Sequence, residues 1–346
     1  MIDLSRASIS FLASMAVCGL ALPASIWLAQ RWKIYDLPGE LKIHARPIPR
    51  IGGLAMFLGL LAGLIFNAPA LRLYVLPLLA FTLIWLVGFV DDLRSVPWLV
   101  RLTIQLFAGT LLWLGGWQLG WSSTPVIDCA FTCFFVALVV NSMNLLDGMD
   151  GIAAGTAAIA GLGFIPLFVS AGDFFSAGLA CSVAGICIAI LFLNFPPARI
   201  FMGDSGSTLL GVVLAFLMLA WVRAEARPAA IVPVALFLVL PLADVCFAIV
   251  RRFRVLASPF QGDRRHFYDL LLRRGCTVRQ VLAWSYLATG MLVLAGWAAI
   301  YSSAAAPFIT MSLLVCAAWT AHRLGSFRSE PEVEAPAQAS RALHES

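Results

Sequence analysis

Long apolar runs separated by short polar stretches make up most of the chain, and this pattern predicts an α-helical protein that crosses a membrane many times. A transmembrane helix needs about 20 mostly apolar residues. Eleven segments approach that length, and they lie at residues 9–30, 52–68, 73–90, 99–117, 126–143, 152–170, 174–193, 207–222, 229–250, 279–301 and 304–321. We therefore predict an all-α, polytopic fold of about eleven transmembrane helices in one domain, residues 1–321. A disordered tail, rich in Ala, Pro and Glu, is expected over residues 322–346.

Composition supports a membrane protein and argues against a nucleic-acid-binding one. Hydrophobic residues make up 61% of the chain and charged residues 12%, whereas soluble domains have roughly 45–50% and 25%. The net charge of +5 does not indicate nucleic-acid binding, because the cations follow the membrane topology. The eight cysteines lie mostly inside apolar runs, so we interpret them as packing residues without a disulfide framework.

The distribution of charge predicts the orientation of the chain. If the loops are assigned alternately to two sides, most lysines and arginines fall on one side, which the positive-inside rule makes cytoplasmic. The N-terminus is then periplasmic and the C-terminus cytoplasmic. The polar clusters all fall on the cytoplasmic side, and they are the Asp pair at 91–92, NSMNLLDGMDG at 141–151, NFPPARIFMGDSGS at 194–207 and SPFQGDRRHFYD at 258–269. We expect one shared site at that membrane surface.

The first two clusters place acids and amides at the ends of apolar helices. Asp91 and Asp92 oppose the dipole of the preceding helix, so they form either a solvated helix end partnered by Arg94 or part of a functional site. In a helix, Asn141, Asn144 and Asp147 would share one face at i, i+3 spacing. Because a solvated loop would not need two asparagines in an apolar run, we favour a functional role for the second cluster.

The last two clusters suit a phosphate-containing ligand. Asp204 in GDSG is either the N-cap of the next helix or a metal ligand, and the N–H groups at that helix start could face a phosphate. Arg264 and Arg265 suit phosphate recognition, while a lone histidine such as His266 is more often structural. Together, the clusters predict an oxygen-rich Mg²⁺ site and an enzyme that joins a phosphate compound to a lipid.

Four ordered motifs strengthen this interpretation. GFVDDLRSVPWLVRLTIQ, NSMNLLDGMDGIAAG, NFPPARIFMGDSGSTLLG and SPFQGDRRHFYDLL resemble, in order and spacing, the polyprenyl-phosphate N-acetylhexosamine-1-phosphate transferases of glycosyltransferase family 4. The resemblance extends from His44 to about Gly275. It implies transfer of a sugar 1-phosphate from a UDP-sugar to undecaprenyl phosphate in the bacterial inner membrane, with release of UMP. The expected cofactor is Mg²⁺, with Mn²⁺ as an alternative, and a homodimer is left open.

The resemblance also assigns expected roles to individual residues. The metal ligands are Asp204 and Asn144, and the nucleotide-binding residues are Asn194 and Phe201. The remaining expected site residues are the catalytic group Asp91, Asp92, Asp147, Asp150 and His266, and the phosphate- or sugar-binding group Arg264, Arg265, Asp263, Arg46 and Arg50.

The last motif departs from the pattern of many family members. Tyr268 and Asp269 stand where two histidines are common. This form resembles the branch that begins O-antigen synthesis with a 6-deoxy sugar, so FucNAc or QuiNAc is the expected sugar, and GlcNAc is the alternative.

Two other functional classes compete with this interpretation. An intramembrane Mg²⁺-dependent prenyltransferase would be expected to carry two D-x-x-x-D-like runs, which this chain does not have. A transporter would be expected to place its acids near the middle of the membrane, whereas these acids gather on one side. Asp244 is the one acid predicted to lie deeper in the membrane, and the sequence gives no reason for it.

Overall fold

A computed structural model describes residues 2–39, 46–66, 72–254 and 265–302, and almost all regular structure within these ranges is helical. The predicted span at 304–321 and the predicted tail at 322–346 lie outside the described residues. In the described ranges the helices are α1 Ile2–Trp32, α2 Gly52–Ile65, α3 Val75–Leu93, α4 Trp98–Leu114, α5 Pro125–Leu146, α6 Ile152–Ala171, α7 Phe174–Asn194, α8 Gly203–Glu225, α9 Ile231–Ala235, α10 Val239–Arg254, α11 Phe267–Arg273 and α12 Val278–Tyr301. A short antiparallel pair, β1 Tyr35–Asp36 and β2 Ile48–Pro49, precedes α2.

The predicted all-α, polytopic fold is confirmed. Within the described ranges, eight helical segments are long and apolar enough to cross a membrane, and the shorter apolar helices α2 and α4 match two further predicted spans. Helices suit this environment because they satisfy their own backbone hydrogen bonds, which lipid cannot do. The count of eleven spans and the orientation remain predictions.

The span predicted at 229–250 is not one continuous helix. It contains a 3-10 turn at Pro228–Ala230, then α9, a second 3-10 turn at Leu236–Leu238, and then α10. Pro233 lies within α9, and Pro241 lies in the first turn of α10. Proline has no backbone N–H and crowds the preceding turn, so the chain cannot keep an unbroken α-helical ladder there.

Helix α8 lies at the centre of the bundle, and almost all of its residues are buried. It packs against α3, α5, α2 and α6. The outer helices present apolar side chains at the surface, such as Leu20 on α1 and Val126 on α5, which is expected where the solvent is lipid. The first turn of α8 is therefore surrounded by the ends of neighbouring helices, and this is where the polar clusters meet.

Candidate active site

Three carboxylates meet where α3 ends and α8 begins. Asp91 and Asp92 lie in the last turn of α3, and Asp204 lies in the first turn of α8. The side chains of Asp91 and Asp204 are within hydrogen-bonding distance of each other. The two helices approach closely because α3 has Gly88 at the contact, where a Cβ would lie 2.7 Å from the Asp204 carbonyl oxygen.

Asp92 caps α8 from the neighbouring helix. Its Oδ1 accepts the backbone N–H of Asp204 at 2.7 Å, and its Oδ2 accepts the N–H and the hydroxyl of Ser205 at 3.0 and 2.5 Å. A carboxylate is favourable there because the N-terminus of a helix carries partial positive charge. The suggestion that Asp204 caps this helix is wrong: the N-cap residue is Met202, without a side-chain cap bond, and Asp92 supplies the acceptors.

Glycine is required beside this cap. Gly203 has a φ of +70°, in the left-handed region, and a Cβ at this position would lie 2.5 Å from both carboxylate oxygens of Asp92. Helix α8 thus begins at Gly203, four residues before the apolar span predicted at 207–222.

Two arginines partly neutralise the carboxylate cluster. Arg50 lies 2.7 Å from Asp204 Oδ2 through one terminal nitrogen, and its Nε lies 3.2 Å from Asp92 Oδ1. Arg101, in the first turn of α4, lies 2.8 Å from Asp91 Oδ2. The cations beside the Asp pair are therefore Arg101 at Asp91 and Arg50 at Asp92, and not Arg94 as its sequence position suggests.

Arg50 reaches the cluster because its segment is bonded to the start of α8. The N–H of Phe201 donates to the Pro49 carbonyl at 2.8 Å, and the N–H groups of Gly52 and Gly53 donate to the Phe201 and Met202 carbonyls at 2.9 and 2.8 Å. Arg50 was expected to bind phosphate or sugar, but in this structure it binds carboxylates.

The asparagine cluster joins the same site. Asn144 Nδ2 donates to Asp204 Oδ1 at 2.7 Å and to the Ser207 hydroxyl at 3.0 Å. The two residues expected to bind metal are therefore in direct contact. Asn141 instead pairs with Gln105 on α4, to whose side-chain oxygen it donates at 2.6 Å.

Asp147 immediately follows α5 and has a different environment from the other acids. Its side chain is only partly exposed, and among the described residues no hydrogen bond or ion pair holds its carboxylate. Burial raises the pKa of Asp147 well above its ordinary value, and the charges of Asp204 and Asp92 raise it further, although Arg50 lowers it. This carboxyl group is therefore the one best placed to accept or hold a proton.

Asp150 faces a cavity that is lined with arginines. Its Oδ2 accepts the N–H of Ala198 at 2.9 Å, and it borders a cavity of about 730 Å³. The same cavity is lined by the arginines Arg46, Arg199 and Arg279. The structure thus separates Asp150 from the three-carboxylate cluster and places it in a basic pocket suited to an anionic ligand.

Of the two residues expected to bind nucleotide, Asn194 is the last residue of α7 and Phe201 lies on the loop between α7 and α8. Asn194 is buried, its Oδ1 accepts the Gly151 N–H, and its Nδ2 donates to the Ile200 carbonyl, both at 3.0 Å. Both polar groups of the Asn194 side chain are thus hydrogen-bonded to backbone groups. Phe201 is partly exposed.

The last polar cluster is anchored by the acid that the sequence left unexplained. His266 Nδ1 lies 2.5 Å from Asp244 Oδ2, and both side chains are buried. Arg265, which immediately precedes His266, is partly buried. The expected site residues Asp263 and Arg264 lie outside the described residues.

An apolar groove opens beside the carboxylates. Its volume is about 560 Å³, and its walls come from α3, α4, α5, α8 and α10. Most of the lining is apolar, and the polar side chains within it are Arg101, Gln105, Asn141, Asn144, Asp204, Thr208 and Arg252. A ligand with a long apolar part and an anionic head would match this distribution.

The cluster has the donor types that Mg²⁺ prefers, although its oxygens are already engaged. Carboxylate and amide oxygens suit this ion, and Asp91, Asp204 and Asn144 supply them. No three His, Cys, Asp or Glu side chains in the described ranges form a ready-made metal-binding group. A cation would therefore replace arginine contacts at Asp204 and Asp91.

Comparison with known proteins places this arrangement in a family. The model of "Glycosyl transferase family 4" matches residues 74–222. A Mycobacterium tuberculosis (strain ATCC 25618 / H37Rv) protein named "Decaprenyl-phosphate N-acetylglucosaminephosphotransferase" is 34% identical over 316 residues, which are 79% of this chain and 78% of that protein. An Escherichia coli (strain K12) protein named "Undecaprenyl-phosphate alpha-N-acetylglucosaminyl 1-phosphate transferase" is 28% identical over 309 residues, 84% and 83% of the two chains. This chain belongs to glycosyl transferase family 4.

The matched family region runs from just before α3 to near the end of α8. It therefore contains the three carboxylates, Asn144 and Asp147. Arg50 and His266 lie outside it, and the structure brings Arg50 to the cluster through backbone bonds to the loop before α8. Arg101 is the site residue that sequence reasoning missed, and its signal was a single arginine within an otherwise apolar predicted span.

Proposed function

We propose that this chain transfers an N-acetylhexosamine 1-phosphate from a UDP-sugar to undecaprenyl phosphate, with release of UMP, at the bacterial cytoplasmic membrane. The observation that carries the proposal is the carboxylate and arginine cluster at one end of an apolar groove. The groove suits a polyprenyl chain, and Arg101 suits its phosphate. The names of the family relatives agree with this reaction class.

The proposed cofactor is Mg²⁺, with Mn²⁺ as a substitute. Asp204, Asp91 and Asn144 would hold the ion, which would supply charge neutralisation for the pyrophosphate of the donor. Asp92 keeps the first turn of α8 in place, so that Asp204 has a fixed position. Asp92 is therefore a positioning group, which differs from the catalytic role expected from the sequence.

The acceptor needs little activation by the protein. A phosphomonoester has a second pKa near 6, so the lipid phosphate is largely dianionic at neutral pH. In the proposed reaction an acceptor oxygen forms a bond to the β-phosphorus of the donor, and the bond from that phosphorus to the UMP oxygen breaks. Asp147, whose pKa is raised, accepts any proton that remains on the acceptor. Arg101 orients the acceptor phosphate.

The donor would bind across the loops beside the cluster. The cavity that Asp150 shares with Arg46, Arg199 and Arg279 has the charge to receive a nucleotide. Because the side chain of Asn194 is hydrogen-bonded to the backbone of Gly151 and Ile200, we propose that it supports the loop between α7 and α8. Phe201 is the side chain of the predicted pair that could contact a base.

The identity of the sugar is the finer part of the proposal. The names of the relatives specify N-acetylglucosamine, whereas the sequence departure at Tyr268 and Asp269 favours a 6-deoxy sugar such as FucNAc or QuiNAc for O-antigen synthesis. In the structure, Asp269 accepts the His266 N–H and Tyr268 is buried. These internal contacts do not select a sugar, so the assay must compare the donors.

The test is a radiolabelled transfer assay in membranes that contain this protein. Undecaprenyl phosphate, Mg²⁺ and UDP-activated GlcNAc, FucNAc or QuiNAc are supplied, and sugar label in the lipid phase and the nucleotide product are measured. We expect Mg²⁺-dependent lipid labelling with UMP as co-product, and loss of both in Asp204→Asn. Release of UDP, or no labelling by folded protein with any donor, would overturn the proposal.

A further inference from the structure

Arg50 bridges two of the three carboxylates at the start of α8. Its Nε lies 3.2 Å from Asp92 Oδ1, and its Nη2 donates to Asp204 Oδ2 at 2.7 Å. Asp36 lies at the edge of the same guanidinium, 4.0 Å from Nη1. The Arg50 side chain is 31% exposed, whereas that of Asp204 is 19% exposed and that of Asp92 is fully buried. Arg50 therefore reaches the acids from the more open side of the cluster.

The backbone around Arg50 is held in place, so only its side chain can change partners. The Pro49 carbonyl accepts the Phe201 N–H at 2.8 Å, and the Gly52 N–H donates to the Phe201 carbonyl at 2.9 Å. The Arg50 carbonyl lies against Gly203, where an added Cβ would come within 2.5 Å of it. Because an arginine side chain has many rotamers, the guanidinium can move to another anion while these backbone contacts persist.

Arg50 also lies at the edge of the arginine-lined cavity. Residues 46–49, which lead directly into Arg50, line that cavity together with Arg199 and Arg279. In the proposed function the cavity receives the nucleotide of the donor, and Asp204 holds the cation that neutralises the donor pyrophosphate. The pyrophosphate would then lie between the cavity and the carboxylates, beside the residue that joins them.

The charges explain why Arg50 and a cation compete for Asp204. If all three carboxylates are ionised, Arg50 and Arg101 leave the cluster with one net negative charge. The two arginines lie 2.7 and 3.9 Å from the same Asp204 oxygen, so both would repel a divalent cation there at short range. A donor pyrophosphate would remove this opposition, because its oxygens attract a cation and a guanidinium alike.

We propose that Arg50 couples the binding of the cation to the binding of the donor. In the free enzyme its guanidinium holds Asp92 and Asp204, and it moves to the donor pyrophosphate as the cation site fills. The proposal rests on the proposed function. It combines the carboxylate contacts of Arg50 with the phosphate-binding role expected from the sequence, and it keeps the cation affinity low until the donor is present.

Cation binding by the purified full chain tests this exchange without turnover. Mn²⁺ is titrated with and without saturating UDP, free Mn²⁺ is followed by electron paramagnetic resonance, and the binding of Mn²⁺ to UDP alone is subtracted. Without UDP, Arg50→Gln should bind Mn²⁺ at least about 10-fold more tightly than the wild type, since that change needs no more free energy than one charged hydrogen bond supplies. UDP should tighten Mn²⁺ binding in the wild type, and this gain should be smaller in Arg50→Gln by a similar factor.

Arg94→Gln is the matched control. Arg94 is exposed just beyond the end of α3 and makes no ion pair within the described part of the chain, so the same charge is lost near Asp92 without loss of a contact. Both of its Mn²⁺ affinities should equal those of the wild type. Without UDP, Mn²⁺ binding by Arg50→Gln that is no tighter than in the wild type, or an equal gain in Arg94→Gln, would overturn the proposal.

Arg50→Lys decides the question if Arg50→Gln does not fold. Lysine keeps the charge but lacks the planar fork that contacts two acids at once, so its Mn²⁺ affinity without UDP should exceed that of the wild type. An unchanged or lower affinity in Arg50→Lys would overturn the exchange. If the affinities behave as expected but the wild type releases no UMP from any UDP-sugar, the exchange at Arg50 stands and the proposed function fails.

Discussion

Asp92 and Asp147 carry the same carboxylate group, but the structure gives them opposite surroundings. Asp92 accepts two backbone N–H groups and a hydroxyl and pairs with Arg50. Asp147 has no such partner among the described residues, and it lies close enough to Asp204 and Asp92 for their charges to raise its pKa. The hydrogen bonds of Asp92 therefore hold the first turn of α8 in place, whereas ionisation of Asp147 destabilises the folded state.

We predict that Asp147→Asn raises thermal stability while it abolishes most activity. Because the pKa of Asp147 is raised in the folded state, folding favours the protonated carboxyl group. The stability from this protonation is fully present below the unfolded-state pKa and is lost as pH rises through the folded-state pKa, where ionisation of the buried group costs free energy. A neutral amide removes that cost at pH 7. The measurement is the melting temperature in EDTA at pH 5 and pH 8, where the gain from Asp147→Asn should be larger at pH 8.

Asp92→Asn is the matched control for this prediction. It replaces an acceptor-only group at the start of α8, and hydrogen bonds to charged groups contribute about 1.5–3 kcal/mol each, so the variant should melt at a lower temperature. Equal changes in melting temperature for the two variants would contradict the separation of roles.

Asn194 offers a second prediction at this scale. Asn194→Asp keeps the acceptor for the Gly151 N–H but loses the donor to the Ile200 carbonyl, and it buries a charge against that carbonyl. We expect a lower melting temperature, with KM values for donor and acceptor that change together. A rise in KM for the UDP-sugar alone, at an unchanged melting temperature, would instead support direct contact with the base.

Among the helices, the close approach of α3 and α8 positions the reactive groups. Gly88 is in contact with the backbone of Asp204 and Ser205, where a Cβ would lie 2.7 Å from each. Backbone at this distance cannot rotate away, so any added side-chain atom must push the two helices apart. The cap at Asp92 and the contact of Asp91 with Asp204 both depend on this spacing.

We predict that Gly88→Ala impairs folding and activity together. Inserting extra atoms into a packed interior typically costs about 1–3 kcal/mol, and here the displacement moves Asp204 from Asp92. Gly290→Ala on α12 is the control, since a Cβ there meets nothing within 4 Å and alanine favours a helix over glycine. Melting temperature and transfer rate of the two variants provide the measurement. Wild-type values in Gly88→Ala would contradict the close approach.

The sequence predicted the helices well because apolar runs of membrane length have few other stable conformations in lipid. It also predicted which polar clusters converge, as the contacts of Asn144 with Asp204 show. It did not predict that Asp92 caps α8, that Arg101 pairs with Asp91, or that Asp244 pairs with His266. Each of these contacts depends on which helices pack together and with what rotation, and the apolar pattern does not contain that information.

For the whole molecule, the polar groups lie at one end of a helical bundle, beside a groove that is otherwise apolar. Under the proposed function, this arrangement would place a water-soluble donor and a lipid acceptor at the same boundary. It requires the ends of α3 and α5 and the starts of α4 and α8 to face the cytoplasm, which the distribution of arginines predicts.

Cysteine labelling in intact cells tests this orientation. Cys276, which precedes α12, lies at the predicted cytoplasmic end and is partly exposed. Ser123→Cys, in the exposed turn before α5, lies at the predicted periplasmic end. We expect a membrane-impermeant maleimide to label Ser123→Cys in intact cells and to label Cys276 only after the cells are lysed. The reverse pattern would invert the topology.

Arg50 and Arg101 have a consequence for the biogenesis of this protein. A cluster of acids at a helix boundary would strongly oppose assembly if its neutralisation had to wait for a bound ion. Here arginines of the same chain neutralise the acids in part, because Arg50 contacts Asp92 and Asp204 and Arg101 contacts Asp91. A newly inserted chain can therefore complete its fold before any cation binds, so the proposed Mg²⁺ would serve turnover rather than assembly.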